Sequence, residues 1–280
     1  MSSVKTTVKH NLITGAGSGL GLGIACRLLR RGENVSVLDL VVPPTARASL
    51  DDAASQGKAE WHAVAVDIRD EAKVQSAVAD AVAIFGAPGL ALNCAGVAVN
   101  KTISAMQGDE FKRVVDINLN GSFYFVHAVL PHLQPGSRLA LIASVAGFTS
   151  NYAYSAYGAS KFGVVGLAKT LRYEYTGSGI GITCICPPEV ETPMVFQERK
   201  EGDPIALGIK ELGGCLSVDY ACDKIVAGLD KGKWMIIPGL QAKGMVLLSR
   251  LAPETFHAFM GYQVRKRRRS LSKTLSTSRT

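Results

Sequence analysis

The sequence predicts an α/β fold, one doubly wound domain of about seven parallel strands with helices on both faces. Three observations lead there. Short β-like runs alternate with longer helical patterns along the chain. No fixed-period repeat or low-complexity linker interrupts the alternation before residue 265. A glycine-rich turn joins the first β-like run to the first helical stretch. At 280 residues the chain could hold two domains, but α/β domains run to about 250 residues as single units. Hydrophobic residues at 47% and charged residues at 19% fill a large core and exclude a mainly disordered chain.

In chain order, the first strand, 8–14, leads straight into Thr14-Gly15-Ala16-Gly17-Ser18-Gly19-Leu20-Gly21, and a helix over 19–31 follows. Strand 34–39 ends on Asp39, and strand 61–66 is followed by Asp67 and Ile68 before helix 71–85. Strand 90–93 closes on Asn93-Cys94-Ala95-Gly96, and one long helical stretch, 107–133, holds Asn118. Strand 138–143 runs into Ser144, and helix 156–175 opens with Tyr157-Gly158-Ala159-Ser160-Lys161. Strand 180–186 carries Cys184 and Cys186 two apart, as buried small hydrophobes would be. Less regular helices over 204–212 and 218–231 precede a last strand, 234–237. Residues 1–239 thus form the domain, with a substrate lid at about 194–217, a helical extension over 240–264 and a basic, disordered tail over 265–280.

Charge and cysteines narrow the function. The net charge is +8, but seven of the 31 Lys and Arg lie in residues 265–280 without an acidic residue, so 24 face 23 Asp and Glu in the body. No nucleic-acid partner is expected of so neutral a body. Six cysteines are too sparse for a disulfide scaffold. Cys26, Cys94, Cys215 and Cys222 show no CxxC or Cys/His spacing, and the five histidines form no HExxH, so no metal site is expected. The first ten residues lack a signal-peptide apolar stretch, and apolar runs stop well short of the ~18 residues of a membrane span. A cytoplasmic protein with reduced thiols is expected. The apolar residues of 243–264 suit a helix packed on the body or on another subunit. With the basic tail they also suit an interfacial anchor on anionic lipid, peripheral to the membrane.

The glycine turn between strand and helix is the Rossmann-type signature, in which backbone meets a pyrophosphate at a helix N-terminus. Asp39 closes the second strand about 20 residues on, where a carboxylate suits the adenosine ribose hydroxyls and repels a 2′-phosphate. NAD is therefore expected over NADP. Tyr157 and Lys161 stand four apart, on one helix face. A free tyrosine titrates at about 10, and Lys161 together with an oxidised nicotinamide ring is expected to lower that value. Ser144 sits at the carboxyl edge, where a hydroxyl can hydrogen-bond a carbonyl or alcohol. Asn118 lies among apolar neighbours, either as a satisfied core polar group or as the anchor of a water.

Taken together and in this order, these motifs resemble the short-chain dehydrogenase/reductase family across roughly residues 9–239. The resemblance implies that Tyr157 is the general acid/base, that Ser144 orients the reacting oxygen, and that Lys161 holds the nicotinamide-ribose hydroxyls while tuning Tyr157. It implies that Asn118 supports a water leading to Lys161. It places the cofactor on Gly15, Gly17, Ser18, Gly19, Leu20 and Gly21, on Asp39, and on Asp67 with Ile68 at the adenine. Further contacts are implied at Asn93, Ala95 and Gly96, and at Pro187, Val190 and Thr192, the last binding the carboxamide. The implied activity is hydride transfer between a nicotinamide cofactor and a secondary alcohol or ketone, on a hydrophobic, lipid-like, long-chain or steroid-like substrate, by a homo-oligomer. The alternative is a catalytically weak dinucleotide-sensing module, against which intact Ser144, Tyr157 and Lys161 speak.

Two departures stand out. Cys94 replaces an asparagine common in the family, and Pro187-Pro188 replaces Pro-Gly. A proline cannot take the positive φ open to glycine, so the nicotinamide-side loop differs locally. The Pro-Pro…Thr-Pro form is similar to 3-ketodihydrosphingosine reductases, which act on long-chain lipids and typically use NADPH. Asp39, with Ser18 and Leu40 where a base would be expected, argues for NAD instead.

Overall fold

Alternation of side chains along each strand decides which helices cover which face. In the computed structural model, which describes residues 8–210 and 214–277, the strands are β1 (His10–Thr14), β2 (Asn34–Asp39), β3 (Trp61–Ala65), β4 (Leu90–Asn93), β5 (Arg138–Ile142), β6 (Gly181–Ile185), β7 (Glu189–Val190), β8 (Cys215–Leu216) and β9 (Met235–Ile236). Seven of them form one parallel sheet in the order β3-β2-β1-β4-β5-β6-β9, and β7 pairs with β8 beside it. The helices are α1 (Gly19–Arg30), α2 (Pro44–Gly57), α3 (Glu71–Phe85), α4 (Gly108–Val115), α5 (Gly121–Val129), α6 (Ala146–Thr149), α7 (Ser155–Glu174), α8 (Pro193–Glu201), α9 (Pro204–Lys210), α10 (Val218–Asp230), α11 (Leu240–Leu251) and α12 (Pro253–Thr277).

Leu12, Leu139 and Leu141 point to the face covered by α3, α5 and α7, where they meet Val78, Phe125 and Val164. Their neighbours Ile13, Ala140 and Ile142 point the other way, onto α1, α2 and α10 through Ile24, Leu50 and Ile225. Both faces are covered, so the strands read as continuous apolar runs. The strand order reverses between β1 and β4, and doubly wound sheets bind ligands in the crevice at that switch point.

The expected helix over 107–133 is interrupted. Between α4 and α5, residues Asp116–Asn120 form a turn of π-helix, and Pro131 ends the stretch in a 3₁₀ turn, Leu130–His132. Such π segments widen a helix by one residue and occur frequently at functional sites. The sequence reading leaves 44–57 without an element; there Pro44 starts α2, and Ala46, Leu50, Ala53 and Ala54 bury its inner face.

The C-terminus corrects the expectation of a disordered tail. α11 and α12 are separate helices, broken before Pro253, which cannot continue the first. α12 runs on through Arg265–Arg269 to Thr277, so that part of the tail is helical. Side chains hold it down: Phe256 and Gln263 are buried, and Arg267 donates to Gln263 Oε1 at 2.8 Å and to the Gly208 carbonyl in α9. The Arg268 guanidinium lies 5.6 Å from the centre of the Tyr152 ring. Residues 211–213 of the expected helix over 204–212, and 278–280 of the tail, lie outside the described residues.

Candidate active site

The loop between β1 and α1 is shaped by backbone that comes too close for side chains. Gly15 has φ +66°, and a Cβ there would stand 2.7 Å from the Ala95 backbone. Gly21 packs directly on the Gly15 carbonyl, drawing α1 against the turn. Ser18 precedes α1, whose first turn holds no acidic residue, leaving its N–H groups and the positive dipole end to an anion. Gly17 N–H donates to Asp39 Oδ2 at 2.7 Å, which fixes that carboxylate beside the loop. The cradle, the helix start and the acid fit the pyrophosphate and adenosine ribose of a dinucleotide.

Not every expected cofactor residue faces the cleft. Asn93 is buried beneath it: its Nδ2 donates to Ser122 Oγ at 2.7 Å, and its Oδ1 accepts from Thr14. With both ends of its amide committed, Asn93 supports the turn from behind instead of touching a ligand. The motif-based reading missed Thr14, whose Oγ1 also accepts from the N–H groups of Cys94 and Ala95 at 3.1 Å and so ties β1 to the β4 turn. Asp67 lines the cleft together with Ile68, and the Arg69 guanidinium at 2.6 Å lowers its pKa. Ser18, Gly19, Leu20, Ala95, Gly96, Pro187, Val190 and Thr192 all line the cleft.

The reacting groups sit where β5 and α7 meet. Ser144 follows β5 with Oγ accepting from Ala146 N–H at 3.1 Å and donating to the Pro187 carbonyl at 3.4 Å, and it lines the same cleft as Tyr157, whose phenolate its hydroxyl favours. Lys161, buried one turn on from Tyr157, donates from Nζ to the Ile142 carbonyl at 2.9 Å and lies 5.7 Å from the centre of the Tyr157 ring. Asn118 is fully buried in the π turn. Its Oδ1 accepts from Val97 N–H at 2.8 Å, and its Nδ2 donates to the Val97 carbonyl and to Ser160 Oγ at 3.0 Å. Asn118 therefore clamps the loop after β4 onto α7 and stands behind the cleft.

The chain's own groups do not supply the expected lowering at Tyr157. Burial pushes the Tyr157 phenol above its ordinary range, the Ser144 hydrogen bond opposes that, and Glu198 adds to it. Lys161 does not supply the expected lowering, because its Nζ is turned onto a carbonyl and burial brings its own pKa down to about 8. Without a further positive charge, Tyr157 is held as a proton donor.

A cavity of about 750 Å³ joins these parts, running from Asp39 and Asp67 past Tyr157 to an apolar end made by Val195, Ile209, Met245, Leu248, Phe256 and Met260. α11 and α12 supply four of those six side chains; short motifs do not announce them, since their only signal is apolar spacing in a segment without a signature.

Residues 9–203 match the short chain dehydrogenase family. The chain belongs to that family. Among curated short-chain relatives, 2-(R)-hydroxypropyl-CoM dehydrogenase of Xanthobacter autotrophicus is 37% identical over 195 residues, covering 65% of this chain and 75% of its own. A 3-dehydrosphinganine reductase of Arabidopsis thaliana is 31% identical over 234 residues, covering 81% and 69%. Of the solved structures, levodione reductase superposes with a TM-score of 0.75 at 28% identity, over 84% of this chain and 98% of that one. A Burkholderia phymatum short-chain dehydrogenase/reductase in complex with NAD gives 0.77 at 24% identity, over 89% and 95%, which shows the fold.

Proposed function

We propose that this short-chain dehydrogenase is an NAD(H)-dependent oxidoreductase acting on a secondary alcohol or ketone with a sizeable apolar body. The observation that carries the reading is the placement of Ser144, Tyr157 and Lys161 together inside one cavity that has a nucleotide cradle at one end and an apolar wall at the other. The bound nicotinamide supplies or accepts the hydride. Ser144 hydrogen-bonds the substrate oxygen, Tyr157 passes it a proton or takes one away, and Lys161 carries the positive charge beneath Tyr157. Asn118 keeps the β4 loop and α7 in register around them. The related 2-(R)-hydroxypropyl-CoM dehydrogenase and the relative named cyclohexanol dehydrogenase, from an Acinetobacter, support the reaction class. A panel of ketones and alcohols graded by apolar length, run with NADH and NADPH, tests it; no turnover on any member defeats it.

Asp39 is the basis for preferring NAD. Its carboxylate is anchored on Gly17 N–H, and the arginines nearby are engaged: Arg47 on the Val42 carbonyl and over Trp61, Arg69 on Asp67. Like charges at ~4 Å repel by about 1 kcal/mol in water and about 4 kcal/mol at an effective dielectric of 20. kcat/KM is therefore expected to favour NAD(H) by roughly tenfold or more, and Asp39→Ala to narrow the ratio. A parent enzyme faster with NADP(H) refutes this.

The same reading extends to a lipid surface. On α11, Leu240, Leu247 and Leu251 are 84%, 58% and 76% exposed at helix-face spacing, and Arg265 and Lys266 lie exposed on α12. No described helix is long and apolar enough to cross a membrane, so the contact is peripheral. Basic residues near an anionic surface contribute on the order of 1 kcal/mol each. Reversing both with Arg265→Glu and Lys266→Glu is expected to weaken co-sedimentation with anionic vesicles by ~30-fold or more, with no change on neutral ones. Equal partitioning of parent and variant would remove the lipid surface from the reading.

A further inference from the structure

The lid meets the catalytic helix in a buried polar cluster outside every motif named above. Tyr154, three residues before Tyr157, is 4% exposed and donates its hydroxyl to Glu198 Oε1 of α8 at 2.6 Å; Glu198 is itself 7% exposed. Lys210, at the end of α9, donates to Glu198 Oε2 at 2.7 Å and pairs with Glu189 Oε2 of β7 at 3.1 Å. Arg199 closes the cluster on Glu189 Oε1 at 2.8 Å. Two helices of the lid and β7 are thereby tied to one tyrosine. The ring of that tyrosine stands edge-on to Tyr157, with centroids 5.4 Å apart and planes at 67°.

Apolar residues would hold a lid at lower cost than ions taken out of water. What the ionic cluster adds is charge next to the proton donor, carried there by α8. Glu189 and Glu198 balance Arg199 and Lys210, and Glu198 lies on the Tyr157 side of the cluster, where it disfavours the phenolate. The other titratable or charged groups facing Tyr157 are Tyr154, Lys161 and Cys186, with the Ser144 hydroxyl beside them favouring the phenolate. Tyr154 is kept neutral by burial and by Glu198, and the Cys184 thiol together with burial does the same for Cys186. Glu198 is thus the anion whose removal changes the field at Tyr157 most simply.

We propose that Glu198 is a positioning residue: with the lid docked, its carboxylate holds Tyr154 against Tyr157 and keeps the proton on the Tyr157 hydroxyl, so that the closed enzyme is set for carbonyl reduction. In that direction the carbonyl carbon accepts a hydride from reduced nicotinamide, the carbonyl oxygen accepts the Tyr157 proton, and Tyr157 is reprotonated from solvent. The inference deepens the oxidoreductase reading and rests on it for the direction of chemistry, but not for the proton on Tyr157.

Two substitutions separate this from a purely structural role, because they move the field in opposite directions. Glu198→Gln retains an acceptor for Tyr154 and removes the negative charge. Lys210→Met leaves that charge without its partner. Alcohol oxidation needs the phenolate, so its rate should rise at lower pH in Glu198→Gln and at higher pH in Lys210→Met, each by about one unit. Phenolate absorbance of the cofactor-free protein, read against Tyr157→Phe, should show the same two shifts in the Tyr157 titration. Opposite shifts support the assignment; shifts in one direction, or none, overturn it. Failure of the ketone and alcohol panel with a positive phenolate titration would instead discard the oxidoreductase reading and keep Glu198 as the group that sets Tyr157. If Glu198→Gln does not fold, Tyr154→Phe takes its place: with the Tyr154 bond gone, Glu198 is tied to Lys210 alone and its carboxylate is no longer drawn toward Tyr157, so the Tyr157 titration should move down. A titration unchanged in that variant counts against the proposal.

Discussion

Tyr157→Phe is expected to lower kcat/KM for ketone reduction by 10²–10⁴-fold, the usual worth of a general acid, while leaving NADH binding nearly intact. The expectation comes from how little else the change disturbs. The tyrosine is packed between Ser144 and the Tyr154 ring, and a phenylalanine occupies the same space. Lys161 keeps its bond to the Ile142 carbonyl, so the charge beneath the ring is unmoved. Only the proton donor goes. NADH fluorescence on titration reports binding, and initial rates report turnover. A variant within a few-fold of the parent would show that another group handles the proton and that the Ser144–Tyr157 pair is not the reacting centre.

The parts of this site that can be read in the chain are those whose chemistry depends on local spacing. Gly15 and Gly21 are needed because backbone passes backbone there, Asp39 stands at the end of a strand whose register with β1 is set by apolar alternation, and Tyr157 and Lys161 share a helix face by spacing alone. Contacts that close over long separations are not legible in the same way. Tyr154 meets Glu198 across 44 residues, and Thr14 meets Asn93 across 79, and nothing in either neighbourhood names the partner. The π turn at Asn118 escapes periodicity because one inserted residue per turn leaves a segment as helical as before. Arg265–Arg269 looks like a solvated end on charge alone, whereas Arg267 is spent on α9 and Gln263. The sign of the shift at Tyr157 is also invisible in sequence, since it is set by burial, by Glu198 from a distant helix and by a Lys161 ammonium turned away onto the Ile142 carbonyl.

Lys161→Met is expected to make the cofactor-free protein more stable while it loses activity. Lys161 is buried with one bond, to the Ile142 carbonyl, and burial lowers its pKa from 10.5 to about 8. A cation whose folded pKa is depressed destabilises the native state wherever the unfolded chain would hold the proton, and the penalty is fully present below the folded pKa. At about 1.4 kcal/mol per unit, this shift corresponds to ~3 kcal/mol as an upper figure. The parent's stability should therefore rise between about pH 8 and 10.5, where the unfolded state binds more protons than the native one. Methionine fills the space of the stem without a charge, so the variant's advantage should be largest at pH 7 and fade across that window. Denaturant unfolding of both proteins without cofactor at pH 7 and pH 10 measures it; an advantage that does not change with pH would mean that packing, not the buried ammonium, sets the difference. A stabilised, inactive variant would also explain why the chain keeps an ammonium there: its unfavourable burial is the condition for having a positive charge beneath the residue that transfers the proton.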